Sequence, residues 1–338
     1  MNTHKKIFLL SIVSSMWSQA YAGEYNINGF ASLTGGMTLD NDQSYLDYDD
    51  KWSMRNDTKV GFQLDADLEN NLSATIQIMS RGKEDYDAEL EWGYINYALT
   101  QSSDVKFGKL RLPIYYYSSS LDVGYSYDWI RPPQDVYRLP ISSYEGLDYS
   151  KDFALGQWSG VSQIFVGSNR SELNTTTDID LTQVTGFVLE LSKEDFNSRI
   201  SATNGKVDSL TTSSDINYYS ISLSKEFDHL TLLSEFTLAD ISSRYSSLTA
   251  DEKIESYLIS TAYRFNQLSP YLTYSKSQAD APDTFSIYGD INESSWIYGL
   301  RWDFNPSASF KAEFIDHTDK QDATNDAQLA NVSIDFIF

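Results

Sequence analysis

Apolar and polar residues alternate one by one along most of the chain from residue 25 onward. Val60, Phe62, Leu64, Ala66 and Leu68 are interleaved with Lys59, Gly61, Gln63, Asp65 and Asp67, and Leu72, Ala74, Ile76 and Ile78 with Ser73, Thr75, Gln77 and Met79. Later, Trp296, Tyr298, Leu300, Trp302 and Phe304 alternate with Ser295, Ile297, Gly299, Arg301 and Asp303, and Ala308, Phe310, Ala312 and Phe314 with Ser309, Lys311 and Glu313. Successive side chains of a strand point to opposite faces, so each segment predicts a strand with one apolar and one wet face. Sixteen strands are predicted, over 25–34, 58–68, 71–80, 88–99, 104–110, 144–151, 158–168, 180–192, 196–204, 215–227, 229–239, 253–265, 268–277, 293–304, 307–317 and 327–338. The fourth, fifth and eighth alternate poorly.

A soluble β-sandwich alternates in the same way. Three features favour a tube through a membrane instead. The segments run to about ten residues, the length that crosses a bilayer at a tilt, against five or six for ordinary strands. The predicted inner face carries Asp65, Arg199, Glu235, Arg264, Arg301, Lys311 and Asp335, which a water-filled lumen can hold and a dry core cannot hold unpaired. Aromatic residues gather at segment ends, as at Trp92-Gly93-Tyr94, Tyr218-Tyr219 and Trp302-Asp303-Phe304, where interfacial girdles belong.

The connections alternate as well. Short turns fall at Glu69-Asn70-Asn71, Ser192-Lys193-Glu194-Asp195, Asn266-Gln267-Leu268 and Asn305-Pro306-Ser307, and longer polar loops at 35–57, 168–179, 204–214, 240–252, 278–292 and 318–326. Short periplasmic turns with long outer loops, and an even strand count that returns both termini to one side, are features of bacterial outer-membrane barrels. The predicted fold class is therefore all-β: a transmembrane antiparallel β-barrel of sixteen strands.

The N-terminus sets the expected compartment. Lys5 and Lys6 precede the apolar run from Ile7 to Val13, and Ala20-Tyr21-Ala22 closes the segment. These are the three parts of a secretory signal peptide, predicting removal of residues 1–22 and a single barrel domain over 23–338. The apolar run is too short for a membrane helix, which needs roughly 20 residues, and no later window approaches that length. Loss of the two lysines takes the net charge from −23 to −25. So acidic a chain lacks the basic footprint of a nucleic-acid binder. With no cysteine there is no disulfide framework, and no cofactor is expected. The 24 tyrosines and 7 tryptophans suit a lipid–water boundary.

Ile27-Asn28-Gly29-Phe30 opens the first strand, Val60-Gly61-Phe62 to Ser80 forms a hairpin, and Phe107-Gly108-Lys109 leads into a long third loop. Val332, Ile334, Phe336 and Phe338 alternate with Asn331, Ser333, Asp335 and Ile337 up to the last residue. In layout the chain resembles a Gram-negative outer-membrane porin of the sixteen-stranded, trimeric type. It departs from the enterobacterial general porins in lacking their Pro-Glu-Phe-Gly-Gly motif in the third loop, so their constriction residues do not carry over. The resemblance implies a third loop folded into the lumen and a homotrimer. It also implies a location in the outer membrane among lipid and lipopolysaccharide, and recognition by the barrel-assembly machinery through the strand ending at Phe338.

The third loop, 111–143, is long, aromatic and stiffened by prolines 113, 132, 133 and 140. Its charged residues Arg111, Asp122, Asp128, Arg131, Asp135 and Arg138 are the candidate constriction. Lys59, Arg81, Arg199, Arg264, Arg301 and Lys311 are the candidate wall bases facing it. Opposed charges at a narrow point in a low-dielectric wall create a transverse field. Each wall base could equally pair with a neighbour such as Asp303 or Glu313. Tyr115, Tyr116, Tyr117, Tyr125, Tyr127, Trp129 and Tyr137 are a candidate aromatic track for sugar rings, or else simply pack the loop against the wall. The acidic outer stretches Asp40, Asp42, Asp47, Asp49, Asp50 and Glu84, Asp85, Asp87 suit cation bridges to lipopolysaccharide or plain solvation. Residues 40–51 lack the glycine and glutamate of an EF-hand.

The function expected is a channel for passive diffusion of small hydrophilic solutes and ions, with a sugar-type porin as the alternative. An enzyme has little support: beyond the leader only His229 and His317 are available, and no G-x-S-x-G motif is present. A non-channel adhesin or receptor barrel would suit eight or ten strands, too few to leave a lumen.

Overall fold

The computed structural model describes residues 24–338 apart from 41–42, 140–141, 175–176, 210–211 and 281–288, and omits the side chains of 170–179. The expected signal peptide, Asp42 and Pro140 lie outside the described residues. Sixteen antiparallel strands form: β1 (Tyr25–Thr38), β2 (Lys59–Asp67), β3 (Leu72–Arg81), β4 (Ala88–Thr100), β5 (Ser103–Arg111), β6 (Ser143–Leu155), β7 (Trp158–Asn174) and β8 (Thr177–Lys193), then β9 (Phe196–Asp208), β10 (Thr212–Phe227), β11 (Leu230–Tyr245), β12 (Leu248–Tyr263), β13 (Leu268–Ala279), β14 (Ile291–Asn305), β15 (Ala308–Asp319) and β16 (Ala327–Ile337). Each pairs with its neighbours in sequence, and β1 closes the sheet onto β16 with Phe30 opposite Ile337 and Thr38 opposite Leu329. The terminal residue completes the seam: Gly29 and Phe338 exchange backbone hydrogen bonds of 2.7 and 2.9 Å. Closure leaves no free sheet edge, the condition for a sheet to stand in lipid.

The alternation translates directly into two faces. Phe62, Ile164, Ile259 and Ile334 point outward and are exposed, whereas Arg199, Glu235, Lys311 and Asp335 point inward and are buried. Outward rings form two belts. On one side Tyr257, Tyr274, Trp296, Tyr298 and Phe314 run in contact from strand to strand, with Tyr274 and Trp296 centroids 4.8 Å apart. On the other, near the short turns, Trp158 meets Phe196 and Trp302 meets Phe304. The apolar band between such belts is the lipid-facing zone.

Three of the expected long loops are absent. Residues 168–179, 204–214 and 240–252 are largely strand: β11 and β12 continue to Tyr245 and Leu248, leaving only a tight turn with Ser246 at φ +56°. Beyond the upper belt the outward face of these strands carries ionic groups, including an Asp215–Arg244 pair at 2.9 Å. A strand that rises into water is polar on both faces, so the alternation that marks it within lipid disappears.

The weakly alternating strands each contain a break in register. In β4 Gln77 pairs with Trp92 but Ile78 with Leu90, so Glu91 is an extra residue that turns inward as a β-bulge. The pairing of β8 with β9 slips between Thr182 and Thr185, beside Gln183 at φ +54°. The β4–β5 ladder slips between Ala98 and Thr100, and β5 carries Gly108 at φ +144°, where a Cβ would collide with the Gly93 carbonyl. Each bulge shifts the period-two pattern by one residue, which flips faces partway along the strand.

Candidate functional site

The connection from β5 to β6, residues 112–142 (loop L3), does not project outward. It folds into the barrel and touches both sides of it. From Pro113 to Tyr116 it lies on β9–β11: Arg199 Nη2 donates to the Pro113 carbonyl at 2.7 Å, the Ser201 and Ser220 hydroxyls donate to the Ile114 carbonyl at 2.9 and 2.7 Å, and Tyr116 N–H donates to Glu235 at 2.9 Å. It then crosses the lumen. At Gly124 it approaches the β1–β16 seam so closely that a Cβ would stand 2.5 Å from both Ser32 Oγ and Asp335 Oδ1. Only glycine fits there.

The return limb lies on β13–β15. Lys311 Nζ donates to the carbonyls of Gly124 and Trp129, both at 2.6 Å, and pairs with Asp335 at 3.0 Å. Arg301 Nη1 donates to the Tyr127 carbonyl at 2.9 Å, Ile130 N–H to Glu313 at 3.2 Å and Trp129 Nε1 to Thr273 at 2.8 Å. The wall behind is built from small inward hydroxyls, such as Ser256, Ser260, Thr273, Ser275 and Ser277, all buried. Small residues leave the space that L3 occupies, and their hydroxyls meet its polar groups.

The sequence-predicted constriction residues are placed as follows. Asp122 reaches the opposite wall, where Arg81 (3.1 Å) and Arg111 both pair with it. Glu91 pairs with the same two arginines, at 2.5 and 3.1 Å, and Lys59 donates to the Leu121 carbonyl at 3.4 Å. Burial alone would raise the Asp122 carboxyl, but Arg111, Arg81 and Lys59 outweigh it and hold the group well below the usual carboxylate range. Asp128 lies 3.9 Å from Arg301; burial raises its carboxyl despite Arg301 and Lys311 nearby. Asp135 is buried and accepts from the Ser275 hydroxyl at 2.5 Å. Arg131 pairs with Asp57 and stacks on Tyr48 at 5.2 Å, and Arg138 pairs with Glu293 at 2.7 Å.

Among the wall bases, Arg199, Arg301 and Lys311 are occupied by L3 carbonyls, and Arg264 stands exposed just after β12. Lys59 and Arg81 lie at the Asp122 cluster. Loop and wall charges are thus in direct contact, not facing one another across open water. Of the seven aromatic rings, Tyr117 touches Tyr116, Tyr127 and Trp129 edge-on. Tyr115, Tyr127, Trp129 and Tyr137 are buried, with Tyr115 stacked on Tyr137 at 4.4 Å, while Tyr116, Tyr117 and Tyr125 keep partial exposure. Burial pushes the Tyr115 hydroxyl up to about 12.

Two residues central to the site had no place in the sequence-based candidates. Glu91 was hidden by the β4 bulge, and Glu235 had been read only as an inner-face charge, although it accepts both Tyr116 N–H and the Tyr137 hydroxyl (2.6 Å). The rows of inward serines at every second position were the readable signal for where L3 docks.

Water-lined space remains on the other side of the loop. A cavity of about 460 Å³ lies between the first limb of L3 and the inner faces of β2 and β4–β9, and one of about 230 Å³ lies above, lined by Asp57, Lys59, Arg81, Asp122 and Arg131. Arg111 lines the lower and Arg81 and Asp122 the upper, so the ion-paired cluster stands between the two.

No protein-family model and no curated protein sequence matches the chain. Solved structures do. An anion-selective porin from Comamonas acidovorans superposes with a TM-score of 0.68 at 11% identity, covering 93% of this chain and 99% of that one. OmpF of Salmonella typhi, solved with daunomycin, gives 0.64 at 12% identity over 94% and 98% of the two chains. OmpT, an outer-membrane protein of Vibrio cholerae, gives 0.63 at 9% identity over 95% and 99%. The chain has a Gram-negative porin-type fold. At such low identity the likeness in this porin-type barrel is one of architecture, and the side chains at the Asp122 cluster have to be read on their own terms.

Proposed function

We propose that the chain forms a water-filled channel across the outer membrane through which small hydrophilic solutes and ions diffuse, with L3 as its narrow point. The observation that carries this reading is the pair of polar cavities above and below L3, on either side of the ion-paired cluster of Arg81, Glu91, Arg111 and Asp122. Solute passes where the loop crosses from the β9–β16 wall to β3–β5, and the paired charges there set the size and polarity of the opening. Reconstitution into a planar lipid bilayer tests the proposal: stepwise, ohmic conductance increments are expected, and folded protein that inserts without any increment overturns it. Export by the 1–22 leader, assembly guided by the strand ending at Phe338, contact with lipopolysaccharide and trimer formation belong to the same proposal. A heat-modifiable, detergent-resistant oligomer on unboiled gels is the expected mark of the trimer.

One observation favours a second reading strongly enough to name. His317 Nδ1 lies 3.0 Å from Ser295 Oγ, the spacing of a general base and a hydroxyl nucleophile. Both residues are buried, and Tyr45 stacks on the imidazole at 4.2 Å, which leaves no approach for a substrate. We therefore read the pair as a cross-strand contact between β14 and β15 on which Tyr45 rests. Labelling of Ser295 by a fluorophosphonate would reverse that conclusion.

A further inference from the structure

The lower cavity is furnished for more than passage. Trp92 and Tyr94 project into it from β4, and Tyr116 from L3 on the facing side. Between these rings stand planar polar groups. Asp148 accepts from Ser150 at 3.0 Å and from Gln163 at 2.5 Å, and Glu190 takes Arg199 Nε at 2.8 Å with its side chain 46% exposed. Three nitrogen donors on cavity-lining residues, Trp92 Nε1, Arg111 Nε and Arg199 Nη1, have no acceptor among the described residues. The side chains of Arg111 and Arg199 are more than nine-tenths buried.

The basic groups around the cavity are each paired with a carboxylate. Arg199 is matched by Glu190, Lys106 by Asp104 at 3.7 Å, and Arg111 by Glu91 and Asp122. An anion gains little from such a lining, because Lys106, Arg111 and Arg199 are already answered, and Asp148, held by Ser150 and Gln163, has no cationic partner among the described residues. A neutral solute that brings both hydroxyl donors and oxygen acceptors, and has an apolar ring face, gains hydrogen bonds and ring contact together. Its volume falls within the range of roughly 300–1,000 Å³ typical of small-molecule sites.

The geometry points to a saccharide-binding subsite on the periplasmic side of L3, formed by Trp92, Tyr94 and Tyr116 with Asp148, Gln163 and Glu190. This rests on the channel reading and deepens it: the channel holds cyclic sugars in transit as well as admitting them. It differs from a track along L3, since two of its rings come from β4.

Ion-current occlusion tests it. Maltose added to the reconstituted channel is expected to lower potassium chloride conductance saturably, whereas sorbitol, an acyclic polyol, lowers it only in proportion to bulk conductivity. Trp92→Ala and Tyr94→Ala, each measured against its own open conductance, are expected to raise the half-blocking maltose concentration about two- to tenfold. Arg111 stacks on the Trp92 ring at 5.1 Å, and Gln163→Ala, which leaves that contact in place, gives the same direction and covers the case in which a ring variant fails to fold. Equal, non-saturating effects of maltose and sorbitol, or half-blocking concentrations unchanged in all variants, overturn the subsite while leaving the channel. Absence of any current overturns the channel instead, and calorimetric titration of the detergent-solubilised barrel with maltose then decides the subsite alone.

Discussion

The two halves of the lumen obey one patterning rule and end in opposite states. From β9 to β16 the inward positions alternate small hydroxyls with a few buried charges, and L3 lies down on them in direct hydrogen-bond contact. From β2 to β8 the inward positions are longer and more varied (Gln63, Trp92, Tyr94, Lys106, Asp148, Gln163), and the space stays open. Polarity tells a strand which face to turn inward. The size of the inward residue decides whether that side is filled or hollow.

Removing the filler gives the largest effect. Deletion of 114–139 is expected to multiply single-channel conductance several-fold, and an unchanged value would show that the open half carries the current regardless of L3. Next comes Lys311→Met, which leaves Asp335 as an uncompensated buried charge and frees two L3 carbonyls. A loss of about 3–5 kcal/mol is expected for a broken buried pair, read as a lower urea midpoint. An unshifted midpoint would mean that the filled half does not depend on its ion pair.

A smaller effect is expected at the junction of the halves. Asp122→Asn removes the charge that two arginines share and should raise current noise and conductance modestly, without a large loss of stability. In the unmodified protein the Asp122 carboxyl is held below its ordinary value. Its contribution is therefore complete above about pH 4 and is lost only as pH falls through the still lower folded-state value. An Asp122 contribution that is flat from neutrality to about pH 4.5 follows, read as the conductance difference between the unmodified protein and Asp122→Asn, and a transition near neutrality in that difference would assign the cluster's titration to another group. The smallest effect belongs outside both halves: Arg244→Ala breaks an exposed rim pair and should change stability by less than about 0.5 kcal/mol in the same urea assay.

The architecture was legible because the membrane enforces it. Every strand from β1 to β16 overlaps a predicted segment, since lipid on one side and water on the other leave period-two alternation as the only solution. Legibility failed where that enforcement ends. Above the aromatic belt both faces are wet, and the described residues of 204–214 and 240–252 read as loops although they are largely strand. At the bulges in β4 and β8 the pattern changes phase, which hid Glu91. The candidate charges in L3 were identifiable from sequence, but their pairings were not. Which carbonyl Lys311 would meet depends on how a 31-residue loop settles, and no local pattern encodes contacts between residues so far apart.

The anchors of L3 come late in the chain. Gly124 is held by a lysine 187 positions further on, and Tyr116 by a glutamate 119 positions further on. During synthesis and insertion the loop exists long before its berth does. A chain halted before β15 would hold the first limb of L3 on β9–β11 but lack Lys311, Glu313 and Asp335, leaving the stretch around Gly124 unanchored. Closing the β1–β16 seam therefore does two things in one step: it removes the last free edge of the sheet, and it brings Asp335 beside Lys311 and Gly124 to complete the berth of L3.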